Sequence, residues 1–156
     1  MKLFALIAAT LVAQAAQADV GINVYGASYH FDRDKAKEIG LTNERNPGLG
    51  IRWRKARSES LDYFVDAGFY DDSAGNTARL LGGGALWHAT RGLRLGGGLV
   101  LMQSKTYNNG DAFVAPAPVA AYEWRRVTIN AVYFAKWREV NRTNQLGFWL
   151  TVWLPD

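Results

Sequence analysis

The chain has two histidines, the side chains best suited to moving a proton near neutral pH. His30 closes an apolar stretch and opens a charged loop in SYHFDRDKAKEIGLTNERNPGLG, residues 28–50. Asp72 and Ser73 open a later loop within FYDDSAGN. If the two loops meet, an imidazole, a carboxylate and a hydroxyl stand together, and those groups suffice for acyl transfer. The imidazole accepts a hydroxyl proton. The carboxylate orients the ring and stabilises the imidazolium, and the serine attacks an ester or donates to its oxyanion. Serines and histidines are common in loops, so this chemistry depends on elements that bring the two loops to one place. His88 falls in the tight turn His88-Ala89-Thr90-Arg91 without an evident partner and reads as a turn residue.

Eight short segments rich in aromatic and branched residues follow Asp19. They are 20–29, 48–54, 61–70, 78–87, 92–102, 112–122, 127–134 and 145–153, separated by turn formers such as Ser58, Asn76, Gly92, Asn108-Asn109-Gly110 and Asn141. Runs of this length suit tilted strands crossing a bilayer, each needing about 9–11 residues. The connections alternate in length. Residues 30–47, 71–77, 103–111 and 135–144 are the longer ones, 88–91 and 123–126 are tight, and only residues 55–60, KARSES, exceed what an inner turn needs. This is the pattern of an even-stranded up-and-down barrel with both ends on the inner side. The expected fold is therefore all-β: an eight-stranded antiparallel outer-membrane β-barrel. Tyr29, Trp53, Tyr70, Trp87, Tyr122, Trp124, Tyr133 and Trp153 stand near segment ends, where interfacial girdles need rings with a polar tip.

Ahead of these segments, MKLFALIAATLVAQAAQA carries one lysine, an apolar and alanine-rich run, and a small-x-small ending. It reads as a cleaved secretory signal over residues 1–18, leaving residues 19–156 as one barrel domain. Without Lys2 the 18 basic residues become 17, against 14 acidic, a net charge of +3. That modest charge, spread to both ends of the segments, argues with export against nucleic-acid binding. The absence of cysteine removes disulfides and thiolate metal sites.

An eight-stranded barrel has no room for a pore, so its interior is packed or holds one slender guest. AFVAPAPVAAY and GLVLM are apolar on both faces, which permits either a hydrocarbon guest or a side-chain core. Pro116 and Pro118 share one parity, so both interrupt hydrogen bonding to the same neighbouring strand, and Pro47 does likewise where the second strand begins. An unpaired backbone is costly in hydrocarbon, so such gaps mark either lateral lipid access or a kinked edge.

Taken in order, His30 with its charged loop, Asn43-Glu44-Arg45 before a proline and glycines, the Asp72-Ser73 pair, LLGGGALW and FVAPAPVAAY resemble the outer-membrane lipid A palmitoyltransferases, the PagP family. The resemblance spans residues 28 to about 134 in four patches and points to a shorter, divergent relative. The first strand follows the signal without the family's amphipathic helix, TVWLPD lacks a terminal aromatic residue, and Asn46 is added before Pro47. The resemblance implies a monomeric enzyme without cofactor or metal, moving an acyl chain from an outer-leaflet phospholipid to lipid A. It assigns the catalytic roles to His30, Asp72 and Ser73, the floor of the acyl pocket to Gly84, and lateral lipid access to Pro47, Pro116 and Pro118. Hydrolysis instead of transfer stays open. The competing expectation is a non-catalytic outer-membrane barrel, structural or surface-binding, whose Arg33, Lys35, Lys37 and Arg45 pair with lipopolysaccharide phosphates.

Overall fold

The computed structural model describes residues 18–138 and 140–155, so the expected signal lies, but for Ala18, outside the described residues. Eight strands follow one another: β1 (Asp19–His30), β2 (Arg45–Ser58), β3 (Leu61–Asp71), β4 (Thr77–His88), β5 (Leu93–Gln103), β6 (Phe113–Trp124), β7 (Val127–Phe134) and β8 (Gln145–Trp153). Each pairs antiparallel with the next and β8 returns to β1, closing the barrel. The expected segments and these strands agree to within a few residues, except that β2 runs on at both ends. Residues 55–60 are therefore not a long inner turn. Strand pairing continues to Ser58, a register slip between Ala56 and Ser58 absorbs one residue, and the turn is only Glu59-Ser60. A short helix, α1 (Arg33–Glu38), also stands in the first long connection. The Asp32 side chain caps it by accepting from Lys35 N at 2.9 Å, and Gly40, at φ +77°, ends it.

Alternation along each strand sorts the side chains. Leu49, Val65, Leu81, Leu99, Ile129 and Leu150 stand exposed on the outward face. The outward charges Lys55, Arg57, Asp71 and Arg79 lie only near strand ends. An apolar belt with its charges at the margins is a lipid-facing surface, so the barrel spans a membrane. Inward, the lower half is polar. Arg52, 1 % exposed, donates to both carboxylate oxygens of Asp66 at 2.7 and 2.6 Å and to Asn130 Oδ1 at 2.9 Å. Asn23 donates to Asp66 at 3.1 Å, and Thr151 donates to Asn23 at 2.7 Å. Below this plug, Arg54 reaches Asp19 and Glu123, and Arg94 reaches Glu123 and Asp62. His88 is not partnerless: it ends β4 with Nε2 2.9 Å from Asp62 Oδ2, an ion-pair network sealing the inner end.

One irregularity decides which way the rim residues face. On β1, Asn23 and the ring of Tyr25 point inward, and unbroken alternation would turn His30 out to lipid. Both ladders of β1 shift register between Tyr25 and Ala27. This β-bulge absorbs Gly26 and brings Ser28 and His30 to the inward face.

Candidate active site

The bulge, the β3–β4 loop and the β7–β8 loop converge at the upper rim. His30 is 1 % exposed, with Nε2 2.9 Å from Ser73 Oγ and Nδ1 2.9 Å from Thr143 Oγ1. Ser28 Oγ lies 3.3 Å from the Ser73 hydroxyl. The two expected loops do meet, and the imidazole and hydroxyl form a bonded pair of the kind that activates a nucleophile.

Asp72 is adjacent but turned away from the ring. Its Oδ1 accepts from Ala74 N at 3.0 Å and Asn76 N at 2.9 Å, and its Oδ2 accepts from Ser104 Oγ. With Gly75 at φ +79°, these bonds fold residues 72–76 into a tight turn that presents Ser73. Asn43, from the charged loop, clamps the turn from the other side: its Nδ2 donates to Asp72 O at 3.0 Å and its N to Ser73 O at 2.9 Å. The place expected for a carboxylate on Nδ1 is held by the hydroxyl of Thr143. Sequence reading missed that residue, although it continues the inward parity of Gln145, Trp149 and Thr151 two residues beyond Gln145, the cross-strand partner of His30.

Beneath Ser73 the barrel is hollow. A cavity of about 100 Å³ descends past Tyr70, Gly82, Val100 and Val119 to Phe64 and Trp149. The rings of Phe64 and Trp149 lie 4.6 and 5.6 Å from the Arg52 guanidinium, roofing the plug with aromatic carbon. Gly84, the expected floor, does not line this cavity. Phe64 is its direct cross-strand partner and ends the cavity there, while a Cβ on Gly84 would come within 2.2 Å of Gly97 O. Gly84 and Gly98 pair across β4 and β5, and their missing side chains let these strands approach closely.

The prolines of β6 border a second opening. Pairing to β5 is unbroken through Pro116 and Pro118, so their missing N–H groups face β7. Pairing to β7 reaches only to Val119 and Val132, leaving the outer part of this seam open. A side cavity of about 390 Å³ fills the gap, lined by Pro116, Pro118, Tyr133, Phe134 and Trp137. Met102, Tyr107, Phe134 and Gln145 line both cavities and form the wall they share. Pro47 lines neither, and its seam is tied on both sides by Tyr25↔Gly48 and by Ser28 N donating to Glu44 O at 3.1 Å.

Tyr107 sits in the β5–β6 loop at the junction, near Ser73. Burial, the largest effect on it, pushes its hydroxyl pKa up, so the group stays protonated and able to donate. Asn46 Oδ1, Gln145 Oε1 and Trp149 Nε1 are buried cavity-side polar atoms without a protein partner among the described residues.

No family model matches the chain, and no curated protein matches it. Among solved structures it resembles one from a study of de novo designed transmembrane β-barrels, with a TM-score of 0.52, 11 % identity, and coverage of 88 % of this chain and 96 % of that one. It also resembles Ail, the attachment invasion locus protein of Yersinia pestis, with a TM-score of 0.47, 11 % identity, and coverage of 87 % and 95 %. At such identities the likeness is one of fold.

Proposed function

We propose that the protein is an outer-membrane acyltransferase that takes an acyl chain from a phospholipid ester and passes it to a hydroxyl of lipid A. The observation that carries this reading is the bonded pair of His30 Nε2 and Ser73 Oγ, 2.9 Å apart, at the top of an apolar cavity separated from a lateral opening by one shared wall of side chains. A donor chain enters through the β6–β7 seam beside Pro116 and Pro118 and lies down the cavity with its ester at Ser73. Ser73 Oγ attacks the ester carbonyl while His30 Nε2 takes its proton. The lysophospholipid oxygen leaves with that proton, and the acyl group stays on Ser73. An acceptor hydroxyl then gives its proton to His30 and attacks the acyl-serine, and the proton returns to Ser73 as the product departs. Asp72 shapes the loop that presents Ser73. The unpartnered polar atoms of Asn46 and Gln145 suit the polar head of a guest whose tail is apolar. The sequence resemblance to the lipid A palmitoyltransferases supports the same substrates.

The second reading is a non-catalytic surface barrel. It is favoured by the side-chain plug that fills the lower lumen and by the absence, among the described residues, of a carboxylate bonded to the imidazole. Mass spectrometry of lipid A from cells making the protein separates the two. Transfer adds the mass of one acyl chain, and His30→Ala or Ser73→Ala lowers kcat/KM by about 10³-fold or more. No gain with wild type, in a strain whose lipid A offers free hydroxyls, leaves the surface barrel as the reading.

A further inference from the structure

Base catalysis by His30 needs a lone pair on Nε2 and therefore a proton on Nδ1. Both ring nitrogens face hydroxyls, which either donate or accept, so the two distances of 2.9 Å do not by themselves fix the tautomer. Counting protons along the chain Thr143, His30, Ser73, Ser28 does distinguish the two directions.

If Nδ1–H donated to Thr143, the Thr143 hydroxyl proton would need an acceptor of its own. Thr143 is 2 % exposed, and His30 is its one side-chain partner among the described residues. That direction strands a buried donor. In the opposite direction Thr143 donates to Nδ1, Nε2–H donates to Ser73, and Ser73 donates to Ser28 at 3.3 Å. The last proton then belongs to Ser28, which is only half-buried and borders the cavity. Every buried donor among these four side chains is used.

We infer that Thr143 holds resting His30 in the Nε2–H tautomer, so that the imidazole donates to Ser73 instead of acting as its base. Thr143 is thus a positioning residue that works as a brake: the tautomer able to take the Ser73 proton is the minor one, and the rate is reduced by its fraction. An aspartate at position 143 accepts from Nδ1–H and reverses the chain.

The chain's two histidines make this directly readable. Protein with ¹⁵N-labelled histidine, folded in detergent at a pH of about 8.5 where unperturbed imidazoles are neutral, shows two rings in long-range ¹H–¹⁵N spectra. His88→Gln removes one and assigns the other. The wild-type His30 ring is expected to carry its proton on Nε2. Thr143→Val, which keeps shape and removes the donor, is expected to abolish that preference, and Thr143→Asp to move the proton to Nδ1. A wild-type ring protonated on Nδ1 overturns the inference, as does an unchanged Nε2–H ring in Thr143→Val. A second arm rests on the acyl-transfer reading: Thr143→Asp is expected to raise kcat about tenfold with KM unchanged. If no variant transfers an acyl group, that reading fails while the tautomer result stands. If transfer occurs and Thr143→Asp slows it, the brake fails.

Discussion

Asp72 is the residue whose position most changes its expected role. A carboxylate bonded to an imidazole fixes the ring tautomer, and replacing such an aspartate with asparagine costs about 10⁴-fold in kcat. Here the carboxylate instead accepts from Ala74 N, Asn76 N and Ser104, work that an asparagine oxygen largely reproduces. Asp72→Asn is therefore expected to retain activity within about tenfold, whereas Asp72→Ala releases the turn and loses about a hundredfold or more. Steady-state rates on detergent-solubilised phospholipid check this, and a loss near 10⁴ with Asn would return Asp72 to the ring. The residue types of the pair were legible in HFDRD and DDSAGN because few other side chains offer that chemistry. Which group backs the imidazole was not, because Thr143 in RTNQ carries no local signal until β8 is registered on β1.

Among the elements, β4 shows how glycine misleads. LLGGGALW promises a deep pocket because a glycine leaves space, yet in a closed barrel that space belongs to whichever neighbour reaches it first, and Phe64 does so from β3. Phe64→Ala is expected to deepen the cavity and move the preferred acyl chain several carbons longer, read by mass spectrometry with a mixed-chain donor pool. Gly84→Ala is expected to lower the temperature at which the folded gel band converts to the unfolded one, since its Cβ would meet backbone at 2.2 Å. Flexible side chains cannot relieve that contact. The open seam makes a separate prediction. Pro118→Cys with Tyr133→Cys, in a chain that otherwise has no cysteine, is expected to block acyl transfer when oxidised and restore it when reduced. The strand count, strand order and proline break were all legible, because period, length and the missing N–H are local properties.

For the whole molecule, the plug decides how much of the barrel is hollow. Its parity was in plain sight: Arg52, Asp66, Asn23, Asn130 and Thr151 are polar residues within strands whose other face must meet lipid, so they point inward. Their mutual pairing was not legible, since it needs the registers of five strands. Arg52→Ala leaves Asp66 buried without its cation and is expected to cost about 3–5 kcal/mol, measured by reversible urea unfolding in lipid vesicles, whereas Arg52→Met with Asp66→Leu is expected to be neutral or stabilising. The bulge at Gly26 has a consequence of a different kind. Tyr25 and Ala27 face consecutive residues of β8, Trp149 and Phe148, so Gly26 adds nothing to the height of β1 on that side, and deleting it would keep His30 opposite Gln145 and facing the lumen. The same glycine flattened into the ladder would instead push the top of β1 up by one step of about 3.3 Å and turn the imidazole out to lipid, so the bulge is slack taken up to keep the base at its level and on its side.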